Sequence, residues 1–198
     1  MDIVFATNNP NKLEEISALL GDRYQLLGLK DLEIEKEIPE DHHTLEENAS
    51  QKAWYINELT GRNCFADDTG LEVDALDGAP GVYSARYSRI GEPTFLQMEP
   101  AEGNIKKLLL QMEGALKRSA RFRTVISLVL NGKEHQFEGV VEGHITDNPS
   151  GVKGFGYDPV FIPEGYDITF AEMDLDEKNQ ISHRALAVAK LVDFLNGM

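Results

Sequence analysis

Residues 2 to 6, with the apolar run Ile3-Val4-Phe5-Ala6, read as a short buried strand that ends at Ala6-Thr7. Asn8-Asn9-Pro10 then predicts a helix start, because Asn9 can accept from first-turn amides and Pro10 has the φ of a first helical residue. Leu13, Ile16, Leu19 and Leu20 give that helix an apolar face, and Gly21 is expected to stop it. Tyr24 to Leu29 reads as a second strand, followed by an acid-rich loop from Glu33 to His43. Thr44 and Glu47 have capping-box spacing, which predicts a helix from Leu45 to Leu59. Asn63 to Ala66 is a short apolar strand leading into Asp67-Asp68-Thr69-Gly70, and Ala79-Pro80-Gly81 reads as a turn. A further helix is expected over Ala101 to Met112. Arg121 to Leu130 and Glu134 to Ile145 flank Asn131-Gly132, a strong hairpin signal. Thr146 to Asp158 is rich in glycine and turn formers, and Val160-Phe161-Ile162 is strand-like. A last helix should begin after Ser182 and run through Val188 and Leu191 to Leu195.

This order is α/β at first, antiparallel β later, then a closing helix. It favours a mixed β-sheet flanked by helices over a strict doubly wound fold. The 198 residues suit one domain, or two closely joined lobes, with a real hydrophobic core. No apolar run approaches the roughly 20 residues needed to span a bilayer. The N-terminal residues lack the basic patch of a secretory signal, and the single cysteine, Cys64, cannot form an internal disulfide. A cytoplasmic protein is expected. The net charge is −15, from 34 acidic against 19 basic residues, which argues against nucleic acid or anionic membrane as the partner.

Four segments could carry chemistry. Thr7-Asn8-Asn9-Pro10-Asn11-Lys12 joins a strand to a helix N-terminus, where free amides and the helix dipole favour phosphate; ordinary capping explains it equally. Asp67-Asp68 at a strand end sets two carboxylates side by side, which suggests a cation or proton transfer; a polar hairpin turn is the alternative. Gly154-Phe155-Gly156-Tyr157-Asp158-Pro159 offers close backbone approach and an aromatic stacking face, or simply a tight turn over the core. Lys178 and Ser182-His183-Arg184 place basic groups at a helix start, where a ligand or only solvent could meet them. His42-His43 lacks a third ligand nearby and is a poor zinc site.

Together, and in this order, the segments are more specific. Ala6 to Lys12, Glu47-Asn48-Ala49 with Lys52-Ala53, Phe65 to Val73, Gly78 to Tyr87, Gly154 to Pro159 and Ile181 to Ala185 strongly resemble the inosine triphosphate pyrophosphatase family, the XTP/dITP diphosphatases. The resemblance covers essentially the whole chain. It implies an elongated mixed sheet with two lobes and a central cleft, and a homodimer. It also implies magnesium-dependent hydrolysis of ITP, dITP and XTP to the nucleoside monophosphate and pyrophosphate, a house-cleaning activity on the nucleotide pool. Carried over by position, Thr7, Asn9, Lys12 and Lys52 would hold the triphosphate, with Asn8, Pro10 and Asn11 in the same element. Asp68 would be the catalytic acid-base residue and, with Glu40, the metal ligand, while Asp67 would support the loop. Thr69 would touch substrate, and Phe155, Gly156, Tyr157, Asp158, Lys178, His183 and Arg184 would recognise the base. Two rivals remain at this point: a pyrophosphatase of modified pyrimidines, and a nucleotide-binding module without catalysis.

Overall fold

The computed structural model describes residues 2–20, 24–34, 36, 38–91 and 93–197. The strands are β1 (Asp2–Phe5), β2 (Gln25–Leu27), β3 (Cys64–Val73), β4 (Pro80–Gly81), β5 (Ser119–Leu130), β6 (Lys133–Ile145) and β7 (Phe161–Pro163). The helices are α1 (Pro10–Leu20), α2 (Leu45–Thr60), α3 (Pro100–Gln111), α4 (Leu175–Ile181) and α5 (His183–Asn196). The sheet order is β2-β1-β3-β5-β6-β7, with β4 beside β3. Pairing is parallel at β1–β2 and β1–β3, and antiparallel at β3–β4 and β6–β7, so the sheet is mixed. The fold class expected from sequence, a mixed sheet flanked by helices, is the one observed.

The chain divides into two compact units. Unit 1 holds residues 1–68, 124–139 and 183–198; unit 2 holds 69–123 and 140–182.

In unit 1 the strands obey a period of two, because successive side chains leave a strand on opposite faces. Ile3 and Phe5 of β1, Phe65 of β3 and Ile126 and Leu128 of β5 join one core with Ile16 of α1 and Leu191 of α5. Val4, Ala6, Cys64, Ala66 and Val129 join a second core with Ala53 and Ile56 of α2. One face is therefore covered by α1 and α5, the other by α2. This double burial explains why β1 and the start of β3 read as unbroken apolar runs.

The local signals in unit 1 are realised in atoms. Asn9 Oδ1 accepts from the amides of Asn11 at 3.0 Å and Lys12 at 3.4 Å, and Pro10 opens α1. Thr44 Oγ1 accepts from the Glu47 amide at 3.2 Å and donates to Glu47 Oε2 at 2.9 Å, which caps α2. Asn131 and Gly132 turn the β5–β6 hairpin with φ of 51° and 76°, as a two-residue loop of this type requires. The stop expected at Gly21 lies outside the described residues.

Unit 2 packs Leu71 and Val73 of β3, Leu108 of α3, Phe122 of β5, Phe161 of β7 and Phe170 into its own core. Three expectations change. Asp67 to Gly70 is no turn but the middle of a ten-residue strand, because Leu71 and Val73 continue the buried alternation past the acids. Pro80-Gly81 is a short strand antiparallel to β3 rather than a turn alone. Helix α4 adds an element with no sequence signal, since its seven largely polar residues carry no apolar period.

Gly139 of β6 lies directly against the backbone at the start of α5. A Cβ there would lie 2.0 Å from the His183 carbonyl oxygen and 2.6 Å from the Ala187 amide nitrogen, both backbone atoms. Gly139→Ala is therefore expected to lower stability by about 1–3 kcal/mol through forced displacement of the helix start. A urea midpoint equal to that of the unchanged protein would contradict this close approach.

Candidate active site

The alternation of β3 continues into its acidic residues. Asp67 falls on the face of Phe65, toward α1 and α5, and Asp68 on the face of Ala66, toward α2. Adjacent carboxylates thus point apart and meet different partners.

Asp67 enters a buried charge network. Its Oδ1 accepts from Lys12 Nζ at 2.9 Å, and its Oδ2 lies 3.4 Å from Arg184 Nε. Arg184 is 1% exposed and also pairs with Glu15 through its terminal nitrogen. Asp68 belongs to a second cluster, in which Lys52 Nζ lies 3.0 Å from Asp68 Oδ1 and 2.7 Å from Glu40 Oε1. Lys52 reaches both from α2, while Glu40 comes from the preceding loop and keeps 32% side-chain exposure.

These surroundings separate the two acids electrically. Burial opposes ionisation of Asp67, but the charges of Lys12 and Arg184, with Lys52, outweigh it and hold the carboxyl well below its usual range. At Asp68 burial wins over Lys52 and Lys12, so its carboxyl lies above the usual value. Burial pulls the Lys12 ammonium down despite Asp67. Lys52 is desolvated too, yet Asp68 and Glu40 lift it above its usual value. Carboxylates with divergent ionisation are a common basis for dividing roles between a charge anchor and a proton acceptor.

The Asp68 cluster also has a property that suits a cation. Asp68 Oδ2 is buried and has no hydrogen-bond partner. An orphaned carboxylate oxygen is costly and calls for an explanation. Among the described residues no three His, Cys, Asp or Glu side chains are grouped to hold a metal. Magnesium does not need three, since it keeps several waters and is commonly held by one or two carboxylates plus phosphate. Asp68 and Glu40 fit that donor set.

The structure thus brings together Lys12, Lys52, Glu40, Asp67, Asp68 and Arg184 in unit 1. Thr7 Oγ1 accepts from the Asn9 amide at 3.2 Å, Asn8, Pro10 and Asn11 are exposed, and His183 is buried as the first residue of α5. In unit 2, Thr69 is half-buried on β3, and Phe155 and Gly156 are half-buried. Tyr157 is buried and donates its hydroxyl to the Ser84 carbonyl at 3.0 Å. Asp158 and Lys178 pair with each other at 2.7 Å. Arg184, expected to face a base edge, instead has a guanidinium held by protein carboxylates. Glu15 lies in none of the four segments that the sequence marks for chemistry. Its signal was the spacing of Lys12, Glu15, Ile16 and Leu19, which puts an acid on the buried face of α1.

A family model described as the Ham1 family matches residues 3–194. The chain belongs to the Ham1 family. A dITP/XTP pyrophosphatase of Porphyromonas gingivalis is 52% identical over 194 residues, covering 98% of this chain and 96% of the relative. One from Flavobacterium johnsoniae is 49% identical over 195 residues, with 98% of each covered. The Staphylococcus aureus Ham1 protein superimposes with a TM-score of 0.86 at 38% identity, covering 100% of this chain and 99% of that one. A HAM1 protein from Coxiella burnetii gives 0.88 at 37% identity with full coverage of both.

For this Ham1-family chain, the Asp67 network makes a stability prediction. Asp67→Asn leaves Lys12 and Arg184 short of a buried counter-charge and should cost about 3–5 kcal/mol at pH 7. Because its folded pKa is depressed, Asp67 contributes stability that is present above its ordinary value of 3.8 and is lost as pH falls through the lower folded value. Chemical denaturation from pH 7 to pH 2 should show this acid loss in the unchanged protein and less of it in Asp67→Asn. Parallel curves for the two proteins would contradict it.

Proposed function

We propose that this chain hydrolyses non-standard purine nucleoside triphosphates, dITP, XTP and ITP, to the nucleoside monophosphate and pyrophosphate. The observation that carries the reading is the division of Asp67 and Asp68. One acid is locked ionised among cations; the other has a raised proton affinity and a buried, unpaired oxygen beside Lys52 and Glu40. Family membership and relatives named dITP/XTP pyrophosphatase supply the substrate class.

In the mechanism, Asp68 accepts a proton from water as the water oxygen bonds to the α-phosphorus. The bond from that phosphorus to the bridging oxygen breaks, and pyrophosphate leaves with the bridging electrons. Asp68 suits the base role by its geometry, since its Oδ2 is buried without a hydrogen-bond partner and is an acceptor for the water proton. Lys12 and Lys52, each already paired with a carboxylate, would donate hydrogen bonds to the phosphate chain, and the capped start of α1 with Thr7 and Asn9 would orient it. Magnesium, held by Asp68 and Glu40, would supply charge neutralisation at the phosphate oxygens. Charge counting supports the need: Lys12, Lys52 and Arg184 already face Glu15, Glu40, Asp67 and Asp68. That set holds no surplus positive charge for a triphosphate. Asp67, anchored by Lys12 and Arg184, fixes the segment that carries Asp68.

Base selection rests on the 6-keto oxygen of hypoxanthine and xanthine, an acceptor where adenine carries a donor. A site that offers donors at the start of α5, where His183 stands, leaves groups unpaired when adenine enters; Arg184, held by Glu15 and Asp67, supports that helix start from within. Phe155 supplies the stacking face. We also propose a cytoplasmic homodimer; light scattering of the purified protein tests the dimer.

The deciding experiment measures pyrophosphate and monophosphate release from ITP, XTP, dITP, dUTP and the four standard triphosphates, with and without magnesium. Preferential, magnesium-dependent turnover of the first three is expected; equal turnover of ITP and ATP at subsaturating concentrations would sink the reading. Asp68→Asn should fold but lose about 10²–10⁴-fold in kcat. Near-unchanged turnover by that variant would remove Asp68 from the chemistry.

A further inference from the structure

Residues 38–42, which carry Glu40, have no regular secondary structure, yet the segment is paired residue by residue with α2. It runs against the helix, so that residues 40, 41, 42 and 44 meet 52, 51, 48 and 47 in turn. Glu40 accepts from the Lys52 ammonium at 2.7 Å. The Asp41 amide donates to Gln51 Oε1 at 3.0 Å, and Gln51 Nε2 donates back to Asp41 Oδ2 at 2.9 Å. The His42 amide donates to Asn48 Oδ1 at 2.9 Å, and Asn48 Nδ2 donates to the His42 carbonyl at 3.3 Å. Asn48 is fully buried and satisfies both backbone groups of His42, as a neighbouring strand would. Asn48, Gln51 and Lys52 stand three and four positions apart, which places all three on one side of α2. Ala53 and Ile56 seat that helix in the core of unit 1, and Ile38 packs against the same core.

The two carboxylates assigned to the cation are thus placed by different means. Asp68 is fixed by β3, whose pairing and buried alternation leave it little freedom. Glu40 has no such frame, and its place depends on what holds its neighbours. We propose that Asn48 and Gln51 are positioning residues for Glu40, which hold its loop on α2 in the metal-binding arrangement before a cation arrives. The proposal rests on the reading above, in which Asp68 and Glu40 hold magnesium. Its consequence follows from the competent fraction. A loop that wanders spends less time in the binding arrangement, and the apparent dissociation constant rises by the same factor. Groups that orient metal ligands act on affinity at a scale of roughly 10- to 100-fold. The expected defect is a shifted magnesium requirement with the chemistry intact.

The test compares Asn48→Leu and Gln51→Leu with the unchanged protein and with Glu40→Gln. Measurements are amide hydrogen exchange at Asp41 and His42 with and without magnesium, the magnesium concentration that half-saturates ITP turnover, and kcat at saturating magnesium. In the unchanged protein both amides should be protected without magnesium. Gln51→Leu should release the Asp41 amide and Asn48→Leu the His42 amide, and magnesium should slow both again. Half-saturation should move up roughly tenfold in Gln51→Leu and up to about 100-fold in Asn48→Leu, with kcat little changed. Gln51 is only half-buried, so Gln51→Leu carries the test if Asn48→Leu does not fold. Exchange at Val129, in the same core, should stay unaltered in Gln51→Leu, which separates loop release from general loosening. Unprotected Asp41 and His42 amides in the metal-free unchanged protein would overturn the proposal. So would faster exchange in the variants with an unmoved magnesium requirement, or a fall in kcat at unmoved half-saturation. An unmoved magnesium requirement in Glu40→Gln, or no ITP turnover by the unchanged protein, would instead refute the reading on which the proposal rests. Exchange without magnesium would then still decide whether Asn48 and Gln51 set the loop.

Discussion

Neighbouring side chains on a β-strand leave it in opposite directions, and the chemistry of this protein depends on that constraint. Were Asp67 and Asp68 on a flexible turn, two carboxylates would share one environment, and their repulsion would raise one pKa without saying which. Held in β3, each has a separate set of partners. Asp67 meets Lys12 and Arg184; Asp68 meets Lys52, with Glu40 on the same ammonium. The identities of the two acids diverge because their faces do.

Hydrophobic packing supplies the precision. The core that joins Phe5, Phe65 and Ile126 to Ile16 and Leu191 holds α1 and α5 against one face of the sheet. Lys12 and Glu15 ride on the first of these helices and Arg184 on the second. The opposite core, with Ala53 and Ile56, seats α2 and hence Lys52. Burying so much charge is not itself a source of stability, since desolvation offsets much of the attraction. What the network does show is connection: its pairs tie α1, α2 and α5 to β3, and α1 to α5.

Unit 2 uses buried polar groups for a different purpose, the shaping of irregular backbone. The Ser84 carbonyl accepts from both Tyr157 and Asn104, and Lys107 donates to the carbonyls of Tyr87 and Ile90. Segments without regular pairing leave carbonyls that must find donors, and long side chains from α3 reach them. Residues that look in sequence like ligand contacts, Tyr157 and Asp158 among them, are engaged in this task.

The sequence by itself determined the local events. Asn9-Pro10, the Thr44–Glu47 pair and Asn131-Gly132 each specify their structure through hydrogen bonds or backbone angles within a few residues, so no distant contact was needed to read them. The ordered motifs likewise revealed the family, because the joint spacing of so many special residues is improbable otherwise. Tertiary structure decided the rest. That Asp67-Asp68 lies inside a strand depends on Leu71 and Val73 finding the core of unit 2. That Glu15 is an ion-pair partner depends on Arg184 arriving from 169 positions away. Helix α4 carries too weak an apolar period to declare itself. Side-chain charge is legible in a sequence, but whether it faces water, a ligand or another charge is set by packing between distant segments.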